Sequence, residues 1–562
     1  MGLVVEYGNY IAIAAVLTIL IRAVSGPRRA IRRNGEPLRK PPDTLPLVGN
    51  GIKFLQSRWD LLSWFDKCQR QFGYETVALS VPTLPPGVLI HSPQNLDFVF
   101  KNEGLFTKGE FVKKRSWDLF GNGIINADGD FWKLQRKAGS AFLNTANLRV
   151  LTEVALPQYL SESVEELKTS LGGGAVDLQH VLHEITTKLM GKMAYNMEMH
   201  ANDDFSKSFD FASGATAERF QNPLWPITEL FVGCEFRRSV SIVKEFGRRI
   251  VARAVQDRGE QRSKDGTDGP LAKDSKLDQI SGSLIQSLLK ALGNEQHVAD
   301  AALTYLSAGR DTTGQALTWT FYLLLQHPEA VSKIRAEVAS LLLSQEQRQD
   351  PSHPPPPPSS PPSPSAANPT DADLDLTLFT PASLPYTTAV FYESLRLYPP
   401  IPFEIRQCQA PTTLPDGTFL PKGAVLVWCL WAMQRSKLTW GEDADDFRPE
   451  RFVVPDDTDS STSLGNGEVK KDGEEGQGKG KVKFALGKSS AEFPVFYGGA
   501  RACLGRKMAE AIAAQVIPAV VWGFELEKAW EGPMEGRRSQ TSLTLPMEGG
   551  LPVRVRKREV VS

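Results

Sequence analysis

The residues best suited to chemistry lie near the C-terminus, at 496–505, which read FYGGARACLG and centre on Cys503. A cysteine thiolate binds iron tightly only where its negative charge is tolerated, and two features here tolerate it. Backbone N–H groups of the glycine-rich turn can point at the sulfur, and the helix expected over 506–522 presents its positive end to it. Gly498, Gly499 and Gly505 permit positive φ angles and a close approach to a planar ligand. Arg501 is a permanently charged fork suited to a carboxylate. Most free cysteines are simply small buried hydrophobes. The spacing Phe-x-x-Gly-x-Arg-x-Cys-x-Gly, however, arises by chance in on the order of one chain in ten thousand, so the ligand reading is preferred.

Three further groups must be positioned around that cysteine. Residues 298–325 read as one long apolar helix containing Ala308, Gly309, Arg310, Asp311, Thr312 and Thr313. Glycine and paired threonines are poor choices for a helix centre. The Thr312 hydroxyl can instead donate to the Ala308 carbonyl, opening the ladder for a water or a diatomic ligand. Trp132 and Arg136 are four apart on one helical face and can both reach a carboxylate. Glu393 and Arg396 are three apart on a helix ended by Pro399, and Arg451 of FRPERF (447–452) can join them in a buried network.

These four groups, in this order and spacing, resemble the cytochrome P-450 family over nearly the whole chain. The resemblance implies a mainly α fold with a smaller β-rich lobe, one large domain behind an N-terminal membrane helix. It implies heme b with Cys503 as axial thiolate. Trp132, Arg136, Arg406 and Arg501 would meet the propionates, with Ala308 and Gly309 against the ring and Phe496, Gly499 and Gly505 shaping the loop. Asp311 and Thr312 would deliver protons during dioxygen activation, while Glu393, Arg396 and Arg451 fix the loop behind the heme. Gln434 stands where many relatives have histidine, which weakens one propionate contact. An apolar substrate would meet Phe111, Trp117, Phe120, Phe220, Trp225, Ile401, Phe403 and Met547, the last on a hairpin expected over 542–555.

At 562 residues the chain could hold several average domains, and it is the resemblance that implies one. Net charge is −1 with 23% charged residues, so no basic field points to nucleic acid. The five cysteines form no CxxC pairs, which argues against a zinc ribbon or a disulfide framework. Residues 1–24 form a marginal membrane anchor whose clean apolar run is only 10–21, with Arg22, Arg28, Arg29, Arg32 and Arg33 after it. That order places the remainder on the cytosolic side of the endoplasmic reticulum. A basic, proline-rich hinge at 25–50 follows, then the catalytic domain at 51–562. Residues 345–381, with HPPPPPSSPPSPS, and 455–490 are expected to be disordered insertions.

No flavin or nicotinamide domain is evident, so electrons are expected from NADPH through a separate NADPH-cytochrome reductase, with cytochrome b5 as a second donor. Lys133 and Lys137 offer a basic face for such a partner. FTKGEFVKK, GNGIINADGDFWK, FQNPLWP and FRPERF look most like fungal alkane and fatty-acid terminal hydroxylases. Tailoring of a polyketide or terpenoid is the alternative. A reductase-independent isomerase or dehydratase is disfavoured by the intact Asp311 and Thr312, and a heme sensor needs neither a proton path nor an apolar entrance.

Overall fold

The computed structural model describes residues 31–46, 48–81, 84–264, 282–349, 374–456 and 481–558. Helices dominate wherever apolar residues recur at helical spacing. In chain order, those that build the site are α1 (Arg58–Phe72), α2 (Pro93–Lys101), α3 (Gly109–Phe120), α4 (Gly129–Phe142), α5 (Leu178–Tyr195) and α6 (Asp204–Gln221). They continue with α7 (Trp225–Val232), α8 (Cys234–Lys264), α9 (Glu295–Leu324), α10 (Pro328–Gln349), α11 (Pro385–Leu397) and α12 (Arg506–Gly523).

The central helix is α9. Asn294 caps its first turn by accepting from the His297 amide, and Pro328 begins the next helix just beyond its end. Past its first three residues it is buried throughout except at Ala308, Gly309 and Thr312. A helix apolar on every side belongs inside the protein, and α9 crosses α5 closely because glycines stand at the contact. A Cβ on Gly309 would lie 2.5 Å from the Met190 sulfur, and one on Gly314 would lie 2.8 Å from the His183 ring.

The β lobe is a five-stranded sheet of β1 (Val77–Leu79), β2 (Gly87–Leu89), β3 (Phe106–Thr107), β4 (Phe403–Cys408) and β5 (Val425–Cys429), in the order β1-β2-β5-β4-β3. Only β2 and β5 run parallel. All five residues of β5, VLVWC, are buried, as a central strand covered on both faces requires.

The structure revises several boundaries. Part of the expected hinge is sheet rather than spacer: Arg32 and Arg33 pair with Phe419 and Thr418, and Arg33 is held by Glu75 at 3.1 Å. The first expected insertion is narrower at both ends, because α10 continues to Gln349 and Phe379 is buried. The second is closed at its base by a ladder between Val453–Pro455 and Val482–Phe484. The expected hairpin at 542–555 is replaced by Pro552–Lys557 pairing with Phe524–Lys528, since those two segments carry the matching alternation. Among the described residues no helix is long and apolar enough to cross a membrane. The expected anchor at 1–24, and the cores of both insertions (350–373 and 457–480), lie outside the described residues.

Candidate active site

The Cys503 loop is a tight reversal. The Cys503 amide donates to the Phe496 carbonyl at 2.8 Å, and the chain between them turns through positive φ at Tyr497 and Gly499. Gly499 is obligatory there, because at φ +61° a Cβ would sit 2.3 Å from the Phe100 carbonyl oxygen. The close approach at Gly498 and Gly499 is thus to α2, and Gly498 and Gly505 keep negative φ. Cys503 remains exposed although protein surrounds it. Burial pushes its thiol up, while the N–H groups of Gly505 and Arg506 and the charges of Arg136 and Arg506 pull the other way.

Helix α4 ties this loop to α9. The Tyr305 hydroxyl on α9 donates to the Gln135 carbonyl at 2.8 Å, and the next residue, Arg136, donates to the Ala502 carbonyl at 2.6 Å. Ala308, exposed within an otherwise buried helix, lies one turn beyond Tyr305. One turn further, the Thr312 hydroxyl donates to the Ala308 carbonyl at 2.7 Å. Asp311 is buried, and burial pushes its carboxyl up to about 7 against the pull of Arg310.

Around the loop the cations are sorted by partner. Arg501 is taken by Glu103 at 2.9 Å and Asp128 at 3.0 Å, as a nearly buried guanidinium requires. It also lies over the Trp132 ring. Arg406 on β4 is buried, stacks on Tyr497 and shares Glu404 with Lys108. Burial opposes ionisation of Glu404, yet Lys108 and Arg406 pull its carboxyl down to about 2. Lys108 itself is pushed down to about 8, first by burial and then by Arg406. Lys108 and Glu404 escaped the sequence reading because β3 and β4 bring them together across 296 residues.

Behind the loop, Arg396 donates to both oxygens of Glu393 at 2.8 Å, and Arg451 donates to the same carboxylate at 2.9 Å. Glu393 and Arg396 are fully buried, and the remaining Arg396 donors bond the carbonyls of Gln434, Ala444 and Asp446. The Gln434 side chain donates to the Glu492 carbonyl at 2.9 Å, so it braces the segment leading into the cysteine loop.

The sequence pattern of the family described as Cytochrome P450 matches residues 39–551. The chain belongs to the cytochrome P450 family. It is similar to cytochrome P450 CYP94D109 of Paris polyphylla, 29% identical over 86% of this chain and 88% of the relative. Cytochrome P450 94A1 of Vicia sativa is 25% identical over 92% and 91%, and cytochrome P450 monooxygenase cyp1 of Mycosarcoma maydis is 28% identical over 93% and 76%. This P450 is therefore a heme-thiolate monooxygenase that depends on dioxygen and on a redox partner's electrons.

The residues present fit a heme. A sulfur with two N–H donors and nearby guanidinium charge suits an axial thiolate. Arg406 Nε is buried with no protein partner, and Lys108 and Arg406 outnumber Glu404 by one positive charge, which suits a propionate. A propionate reaching Arg501 would share it with Glu103 and Asp128.

The residues expected to line the substrate pocket divide. Phe111, Phe220 and Phe403 line one apolar pocket between α1, α3 and the β lobe, together with Phe54, Leu61 and Phe65. Phe120 packs on Phe209, and Trp225 stacks on Arg219. Trp117 and Ile401 are exposed. Met547 is buried elsewhere, its amide donating to Gln179 of α5 at 2.9 Å, because the segment expected to form a hairpin tip lies on the core.

Proposed function

We propose that this P450 hydroxylates an aliphatic chain, a fatty acid or an alkane-like molecule, at the endoplasmic reticulum membrane. The observation that carries the reading is the pocket of Phe111, Phe220 and Phe403, in which Gln221 is the only polar lining side chain. Such a lining gains free energy from hydrocarbon burial and offers few groups to orient a polar, multiply oxygenated metabolite. Bound heme would supply dioxygen activation and oxygen insertion; Cys503 would hold it, Arg136, Arg406 and Arg501 would receive its propionates, and the Glu393 network would brace the Cys503 loop. Trp132, Ala308, Phe496 and Gly505 would frame it, while Gly309 and Gly499 let α5 and α2 pack close to the site. Thr312 and Asp311 hold and move the protons, the buried carboxyl near neutrality being able to give and regain one.

The membrane reading is supported by α7, none of whose residues is buried: Leu230, Phe231 and Val232 are 75%, 82% and 76% exposed. A contiguous apolar ridge of this kind fits a lipid surface, in keeping with the expected anchor at 1–24. Lys133 and Lys137, both exposed, offer an acidic NADPH-cytochrome reductase or cytochrome b5 a docking face.

The test is turnover with purified NADPH-cytochrome reductase and either dodecanoic acid or dodecane. Hydroxylated product carrying one atom from labelled dioxygen is expected. NADPH consumption with no oxidised chain product from either would overturn the reading.

A further inference from the structure

Beside the pocket of aromatic and aliphatic side chains lies a guanidinium whose contacts leave two donors open. Arg58, on α1, is 2% exposed. Its Nη2 donates to the Ser542 carbonyl, but Nε and Nη1 are buried with no hydrogen-bond partner, and it forms no ion pair among the described residues. Its guanidinium lies 4.4 Å over the Phe403 ring, and Phe403 lines the pocket. Leu61 and Phe65, three and seven residues along α1, also line it, so Arg58 extends the same helix face. The pocket's one polar lining residue, Gln221, keeps its Oε1 buried and unpaired as well. A buried guanidinium with two open donors is costly to a fold unless something anionic completes it.

A short segment ties Arg58 to α9. Ser542, which holds Arg58, is hydrogen-bonded to Ser213 of α6 at 2.9 Å. Three residues later the Leu545 amide donates to Gln315 on α9 at 2.7 Å, and Gln315 lies three residues beyond Thr312. The stretch from Ser542 to Leu545 spans at most about 11 Å. Arg58 and the helix that carries the acid–alcohol pair are therefore bonded to the same short segment.

We infer that Arg58 anchors the carboxylate of the substrate, making this P450 selective for long-chain carboxylic acids over alkanes, alcohols or esters. This rests on the aliphatic-chain reading above and narrows it. The carboxylate accepts from Arg58 Nε–H and Nη1–H while the chain lies against Leu61, Phe65 and Phe403. Burial already holds the Arg58 guanidinium low, at about 10, still charged at neutral pH and so still in want of an anion.

The experiment is a heme-spectral titration of the purified holoprotein with dodecanoate and with methyl dodecanoate. Wild-type protein is expected to bind the acid about tenfold or more tighter than the ester, the gain of a charge-assisted pair. Arg58→Met should bring the two within about threefold of each other, and Arg58→Lys should restore part of the preference. A normal carbon monoxide spectrum in each variant certifies the fold. Equal binding of acid and ester by the wild type, which needs no variant, overturns the anchor while leaving the aliphatic reading intact. A preference that survives in Arg58→Met does the same. No shift with either compound in sound holoprotein overturns the aliphatic reading and the anchor with it.

Discussion

The Arg310 guanidinium donates from one nitrogen both to Asp311, its neighbour on α9, at 2.7 Å and to Asp210 on α6 at 2.8 Å. Asp210 is half exposed whereas Asp311 is buried, so Arg310 joins a solvent-facing carboxylate to the one beside Thr312. Removing it in Arg310→Gln leaves Asp311 with burial and the Asp210 charge, both of which raise its carboxyl further above the present value of about 7. A carboxyl raised in the folded state favours folding below its ordinary value of 3.8 and loses that contribution as pH rises through about 7. The variant should therefore shift the pH profile of product formed per NADPH to higher pH. An unmoved profile would remove Asp311 from the proton path.

Thr312→Ala removes the hydroxyl that donates to the Ala308 carbonyl. Heme content should hold, while product per NADPH falls about tenfold or more and peroxide rises, because a positioned proton donor is lost. Thr312→Ser should recover most of the coupling. Peroxide release measured beside NADPH consumption decides it, and unchanged coupling in the alanine variant would contradict the assignment.

Glu393→Gln takes the charge from a carboxylate that two arginines share, Arg396 fully buried and Arg451 nearly so. Breaking such a network costs on the order of 3–5 kcal/mol because the stranded guanidinium has no water to turn to. The variant should yield little holoprotein and a lower Tm. A wild-type Tm with full heme content would show that the network does not hold the loop.

His91 is buried, its Nδ1–H donating to the Glu75 carbonyl at 3.0 Å, and burial lowers its pKa from 6.5 to about 4. A base lowered in the folded state contributes stability that is present above 6.5 and lost as pH falls from there through about 4, on the order of 3 kcal/mol in all. Tm measured from pH 7 to pH 4 should fall more gently in His91→Gln than in the wild type. Parallel curves would place the acid sensitivity elsewhere, His183 also being held low by burial of its ring.

What could be read without coordinates was local. Glu393 and Arg396 meet because they are one helix turn apart, and the Cys503 turn is a single run of ten residues. Residues whose meaning depends on distant partners were not legible. Lys108 and Glu404 need two strands paired across 296 residues. Arg58 reads as an ordinary surface arginine at a helix start until the Ser542 segment and Phe403 enclose it. Glycine was legible as a requirement but not in its cause, for Gly309 meets Met190 and Gly499 meets Phe100. Met547 was misplaced because the strand after it pairs with 524–528 rather than with its own neighbour.

The most direct test of the account is the carbon monoxide difference spectrum of the reduced protein, recorded for the wild type and for each cysteine replaced singly by alanine. Cys503 is one of five cysteines, and the loop, the N–H donors of Gly505 and Arg506, and the Arg136 tether all converge on it alone. The thiolate-type band should be present in the wild type and in the Cys68, Cys234, Cys408 and Cys429 variants, and absent from Cys503→Ala. A Cys503→Ala protein that keeps the band would contradict the central claim.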